Sequence, residues 1–142
     1  MISARDLLNI ALRIESAGYV YYKDLAEKVS GEVRKLFENL ADQERDHSRR
    51  FQEILGRYEE DFEVSPEVLG YLQALAETSI FPKLVGKPPE DLKEAVRLAI
   101  EVEKDSVLFY SEILNYVPEK KAVEEIVEEE KKHLRNLLAV KF

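Results

Sequence analysis

No cysteine occurs among the 142 residues, which excludes disulfides, thiolate metal sites, iron–sulfur clusters and cysteine nucleophiles. Methionine is confined to position 1, leaving no interior thioether to ligate a haem. Positive charge is also short: 21 Lys and Arg stand against 29 Asp and Glu, for a net charge of -8. Lysine-rich stretches such as 128–132 are interleaved with acids, so no basic face is available for a phosphate backbone and no nucleic-acid partner is expected. Apolar runs are brief. None approaches the 18 residues of a membrane span, and residues 1–10 are interrupted by Arg5 and Asp6, unlike a signal peptide or a membrane anchor. A cytoplasmic protein with no membrane partner is the expectation.

What is present fits a folded, strongly charged globule, with 45% hydrophobic and 35% charged residues. The length suits a single domain spanning 1–142. Leu7, Ala11, Ile14, Gly18, Tyr22 and Leu25 recur at helical spacing and predict a first helix over about 3–29. Ser30 and Gly31 interrupt the pattern, and Val33, Phe37, Leu40, Ala41, Phe51 and Ile54 predict a second over 32–56. Prolines 66, 82, 88 and 89 then mark a connection over 57–89, with one short helix near 66–80. Asp91 or Glu90 opens a third helix (90–115), and Pro118 sits where it can start a fourth (118–140). The reading is all-α, with two helical hairpins joined by one long crossover, as in a ferritin-like four-helix bundle.

The two halves resemble each other. Glu15 is followed after seven residues by Tyr22, and Glu103 after seven by Tyr110. Downstream of each comes a Glu-x-x-His pair, Glu44 with His47 and Glu130 with His133. On a helix, residues three apart project from one side one turn from each other, so both can reach the same metal ion.

The faces these acids occupy are more telling. Glu15 has Leu8, Ala11, Leu12, Gly18, Tyr19 and Tyr22 at three, four or seven residues' distance. Glu44 has Phe37, Leu40, Ala41 and Phe51; Glu103 has Val96, Ala99, Ile100, Val107 and Tyr110; Glu130 has Val123, Ile126, Val127, Leu134 and Leu137. Asp46, among Asp42, Gln43, Arg49 and Arg50, and Glu124, among Lys120, Lys121, Glu128 and Lys131, read as solvent-facing, and 124–132 reads as a solvated face. Four buried carboxylates would each cost several kcal/mol and repel one another, so divalent cations are the natural compensators. Oxygen-rich ligation with one imidazole per ion suits iron or manganese better than zinc, calcium or magnesium.

On these six residues, Glu15, Glu44, His47, Glu103, Glu130 and His133, the sequence resembles the ferritin-like di-iron carboxylate proteins. It is most similar to their rubrerythrin-like branch, without the rubredoxin domain. The resemblance implies two iron ions, with manganese the other candidate. Glu44 and Glu130 would bridge them, Glu15 and His47 would complete one, and Glu103 with His133 the other. Tyr22 and Tyr110 resemble groups that hydrogen-bond ligand carboxylates. Two features depart from full-length rubrerythrins: the chain has no cysteines for a rubredoxin-type iron, and Ile100 stands where they carry an extra glutamate. The implied function is a redox protein reacting with hydrogen peroxide or oxygen, of peroxidase or ferroxidase type. It would draw on an external electron donor and assemble as a homodimer. The alternatives are an iron- or manganese-binding storage or buffering protein without turnover, and a helical interaction module that keeps the pattern unused.

Overall fold

A computed structural model describes residues 4–57, 64–117 and 119–141. Among them every regular element is helical: α1 (Ala4–Glu27), α2 (Gly31–Arg57), α3 (Pro66–Leu75), a π-helical turn (Ala76–Ile80), α4 (Phe81–Leu84), α5 (Leu92–Ile113) and α6 (Lys120–Leu138). Helices α1 and α2 pack along their lengths as one hairpin, and α5 and α6 form the other. The first hairpin turns at Gly31, whose φ of 67° lies in the left-handed region that side chains avoid. The second turns through Asn115 and Tyr116, whose amides donate to the Glu112 and Ile113 carbonyls at 3.3 and 2.9 Å. Pro118, the expected start of the fourth helix, lies outside the described residues, and α6 begins at Lys120.

The crossover owes its helices to local chemistry. The Ser65 hydroxyl accepts the Val68 amide at 3.2 Å, and Pro66 follows at a position where no N–H is needed. A regular α-helix cannot run through Pro82, whose ring would meet the Thr78 carbonyl. The wider turn just before it, closed by the Phe81 amide on the Ala76 carbonyl, relieves that clash. Asp91 opens α5 by accepting the Lys93 amide at 3.2 Å. The crossover is fastened to both hairpins. The Arg13 guanidinium of α1 lies 4.5 Å from the Phe81 ring centroid. Ser79 donates to Asp105 of α5 at 2.5 Å, and Lys83 pairs with Glu101 at 3.4 Å.

Leu7, Phe37, Phe51, Leu72, Ile80, Phe109 and Val123 are among the fully buried side chains of one continuous core. Tyr21 of α1 spans it to donate to the Ala95 carbonyl of α5 at 2.8 Å. Inside that apolar setting lies a polar centre, fed by all four long helices.

Candidate metal centre

Glu15 comes from α1, Glu44 and His47 from α2, Glu103 from α5, and Glu130 and His133 from α6. Each is between 0% and 3% exposed. Their burial follows from the helical stripes: every one replaces an apolar residue on the inward face. The six side chains meet as two groups, Glu15–Glu44–His47–Glu130 and Glu44–Glu103–Glu130–His133. In each, one donor atom per residue lies within 4.8 Å of all the others. Glu44 and Glu130 belong to both groups, and the two imidazoles stack with centroids 5.5 Å apart.

Both histidines turn Nδ1 toward the acids. His47 Nδ1 lies 2.8 Å from Glu130 Oε1 and 3.5 Å from Glu15 Oε1. His133 Nδ1 lies 3.3 Å from Glu44, 3.7 Å from Glu130 and 4.0 Å from Glu103. Tyr22 donates to Glu103 at 2.6 Å and Tyr110 to Glu15 at 2.7 Å. Each tyrosine therefore holds the glutamate of the opposite hairpin, a crossing that the seven-residue spacing on one helix does not reveal.

Electrostatics without an ion are strained. Burial is the foremost influence on every carboxyl here, opposing its charge. It combines with the neighbouring charges of Glu130 and Glu15 to push Glu44 well above the usual range. Burial and Glu130 do the same to Glu103. Burial and the Glu15 charge raise Glu130, against the pull of its hydrogen bonds to Glu103 and His47. Only Glu15 stays low, at about 2: burial opposes its charge, and hydrogen bonding from Glu44 together with the charge of His47 overcomes it. Burial favours a neutral His47, but the Glu15 and Glu130 carboxylates outweigh it and lift the imidazole to about 11. For His133 burial prevails and the pKa falls. Burial and mutual repulsion thus favour protonated Glu44 and Glu103, and cations would serve in place of those protons.

Three side chains around the histidines were not anticipated from sequence. Gln43 and Arg50, grouped there with the solvent face, are half-buried. The Gln43 carbonyl oxygen takes the hydrogen bond of His133 Nε2. Arg50 grips both Glu129 oxygens at 2.7 Å, and Glu129, read as part of a solvated run, lies 3.6 Å from His47 Nε2. The available signal was the repeat itself, since Gln43 and Glu129 each directly precede a glutamate shared by both groups.

A helical bundle of two hairpins and a crossover, centred on four carboxylates and two imidazoles, defines the ferritin-like class of proteins. A sequence model of the family described as Rubrerythrin matches residues 6–141, and the chain belongs to that family. It is also similar to the crystal structure of a candidate ferritin-like diiron-carboxylate protein from Thermotoga maritima. The two share 32% identity with a TM-score of 0.73, over 96% of this chain and 93% of that one. Among curated proteins, none matches the chain. The buried cluster suits a dinuclear metal site, and one observation tests the fit. Glu15 Oε2, Glu44 Oε1, His47 Nε2, Glu103 Oε2 and His133 Nδ1 are all buried without a hydrogen-bond partner. Among them His133 Nδ1 lies 3.3 Å from Glu44 Oε1 and 4.0 Å from Glu103 Oε2, and orphaned buried polar atoms are rare unless something satisfies them.

Gly18 makes room for this arrangement. A Cβ there would fall 2.9 Å from Glu44 Oε2 and 3.3 Å from its Cδ. Gly18→Ala should therefore push the Glu44 carboxylate out of place while raising the helix propensity of α1 by about 0.5–1 kcal/mol. The expected result is a metal-free variant that melts no lower than wild type, yet binds metal about tenfold or more weakly. Melting in chelator and calorimetric titration with Mn(II) check the two halves.

Proposed function

We propose that the centre holds two iron ions and that the protein is a non-haem redox protein acting on hydrogen peroxide or oxygen, of peroxidase or ferroxidase type. The observation that carries this reading is the pair of buried donor groups sharing Glu44 and Glu130, which offers adjacent places for two cations. When bound, two adjacent irons can together supply the two electrons that reduce a peroxide to water. The chain's own contribution is to place the donors, exclude solvent and set protons. Glu15 and Glu103 would complete the separate ends, with Tyr110 and Tyr22 fixing which oxygen of each remains free. Glu44 and Glu130 would lie between the ions and neutralise both. The 142 residues contain no thiolate iron site to feed electrons, and the proposed reductant is a donor outside them.

The competing reading is storage or buffering of iron or manganese without turnover. Elemental analysis of protein purified without added metal is expected to find iron at close to two ions per chain. Ferrous-loaded protein should then consume peroxide or oxygen repeatedly when a chemical reductant is supplied. Bound iron that reacts with neither oxidant would favour storage, and a protein that takes up no iron would defeat both readings.

A further inference from the structure

The two histidines are supported differently from behind, and the internal repeat makes the contrast legible. Aligning Glu44-x-x-His47 with Glu130-x-x-His133 places Gln43 opposite Glu129 and Arg50 opposite Asn136. Each residue before the bridging-position glutamate reaches across to the histidine of the other half. Gln43 of α2 meets His133, and Glu129 of α6 faces His47.

An imidazole that gives one nitrogen to a metal must be neutral and carry its proton on the other. Both Nδ1 atoms face the carboxylate cluster, so in a loaded site both Nε2 atoms would be the N–H donors. His133 has an acceptor already, the neutral carbonyl of Gln43. His47 Nε2 is buried without a hydrogen-bond partner, and 3.6 Å away stands Glu129 Oε1. That carboxylate is no loose surface acid: Arg50 binds both its oxygens and is itself held by Asp46 at 3.0 Å. A modest rotation of either side chain would close the gap.

We propose that Glu129, fixed by Arg50, accepts the hydrogen bond from His47 Nε2 when the site is loaded, and that this makes the Glu15/His47 subsite the tighter of the two. A charged acceptor behind an imidazole strengthens it as a donor to metal more than a neutral amide does. Glu129 and Gln43 are thus positioning residues whose difference breaks the equivalence of two otherwise repeated half-sites. The inference rests on the dinuclear reading above.

Mn(II) titration of the metal-free full-length protein tests it, following free aqueous Mn(II) by electron paramagnetic resonance and heat by calorimetry. Wild type should bind in two unequal steps. Glu129→Gln, which backs both histidines with amides, should weaken the first step about 10–100-fold and leave the second nearly unchanged. Gln43→Glu should tighten the second. The double exchange, Gln43→Glu with Glu129→Gln, should recover part of the first step, because the charged acceptor has changed histidines while Asn136 stands where an arginine would hold it. A loss of folding would not be rescued in that way, and melting in chelator checks each variant. An unchanged first step in Glu129→Gln, or a double variant no better than that single one, would overturn the inference while leaving the dinuclear reading intact. Wild type that binds neither Mn(II) nor Fe(II) would instead remove the reading beneath it.

Discussion

Removing bound metal with a strong chelator is expected to lower the melting temperature by roughly 10–20 °C, and adding back ferrous or manganous ion should restore it. A ligand held at a hundred times its dissociation constant stabilises the folded state by about 2.7 kcal/mol per site. Two sites give about 5 kcal/mol, and for a chain of this size each kcal/mol moves the midpoint by about 2–4 °C. A helical module that kept the six residues without using them would show no such gap.

The gap should also widen as pH rises from about 5.5 to about 8. In the metal-free protein Glu44 and Glu103 are raised well above the ordinary carboxylate value, and His47 is raised to about 11. The folded state then binds more protons than the unfolded one across this window, so its stability falls as pH climbs. Glu15 is already ionised in both states throughout the window and adds no slope there. His133, lowered by burial, works in the opposite direction but is one group against three. Metal binding must expel the same protons, so affinity rises with pH. The stripped protein weakens while the loaded one gains. Scanning calorimetry with and without chelator at several pH values measures this, and a gap that narrows with rising pH would contradict the charge assignment.

How far such a centre can be read from sequence depends on what kind of regularity places each residue. The helices and the six inward-facing side chains were legible because both obey one period: a glutamate at the centre of an apolar stripe stands out where Asp46 or Glu124 does not. The two hairpins followed from Gly31 and the proline-rich middle. What period alone could not supply was anything set by the distance between helices. Gly18 reads as one more small residue on a stripe, and only the approach of Glu44 shows that a methyl group would not fit. Tyr22 and Tyr110 were legible as neighbours of the acids, but not as partners of the opposite hairpin's glutamate. Gln43, Arg50 and Glu129 lie at the edge of the stripe, where a half-buried polar side chain and a solvated one have the same sequence surroundings. The π-helical turn was likewise hidden, since Pro82 announces a break in a helix without specifying how the backbone goes around it.

Glu130→Gln should separate the acid's two contributions, which act in opposite directions. The amide keeps the side chain's volume and one acceptor oxygen for His47 Nδ1, now 2.8 Å from Glu130. It removes a buried negative charge that raises its neighbours Glu44 and Glu103. Metal-free Glu130→Gln should therefore melt at or above the wild-type temperature, because less mutual repulsion remains in a dry interior. With metal the order reverses. Glu130 belongs to both donor groups, so its loss would take a charged donor from each group at once, where loss of Glu15 or Glu103 would affect only one. Metal content should fall below one ion per chain, the metal-induced rise in melting temperature should largely vanish, and peroxide or oxygen consumption should drop by more than about 100-fold. Stability and metal content measured on the same preparation decide the matter. A variant that keeps two ions and its turnover would show that Glu130 is an ordinary buried acid, and one that unfolds without metal would show that its charge supports the fold directly.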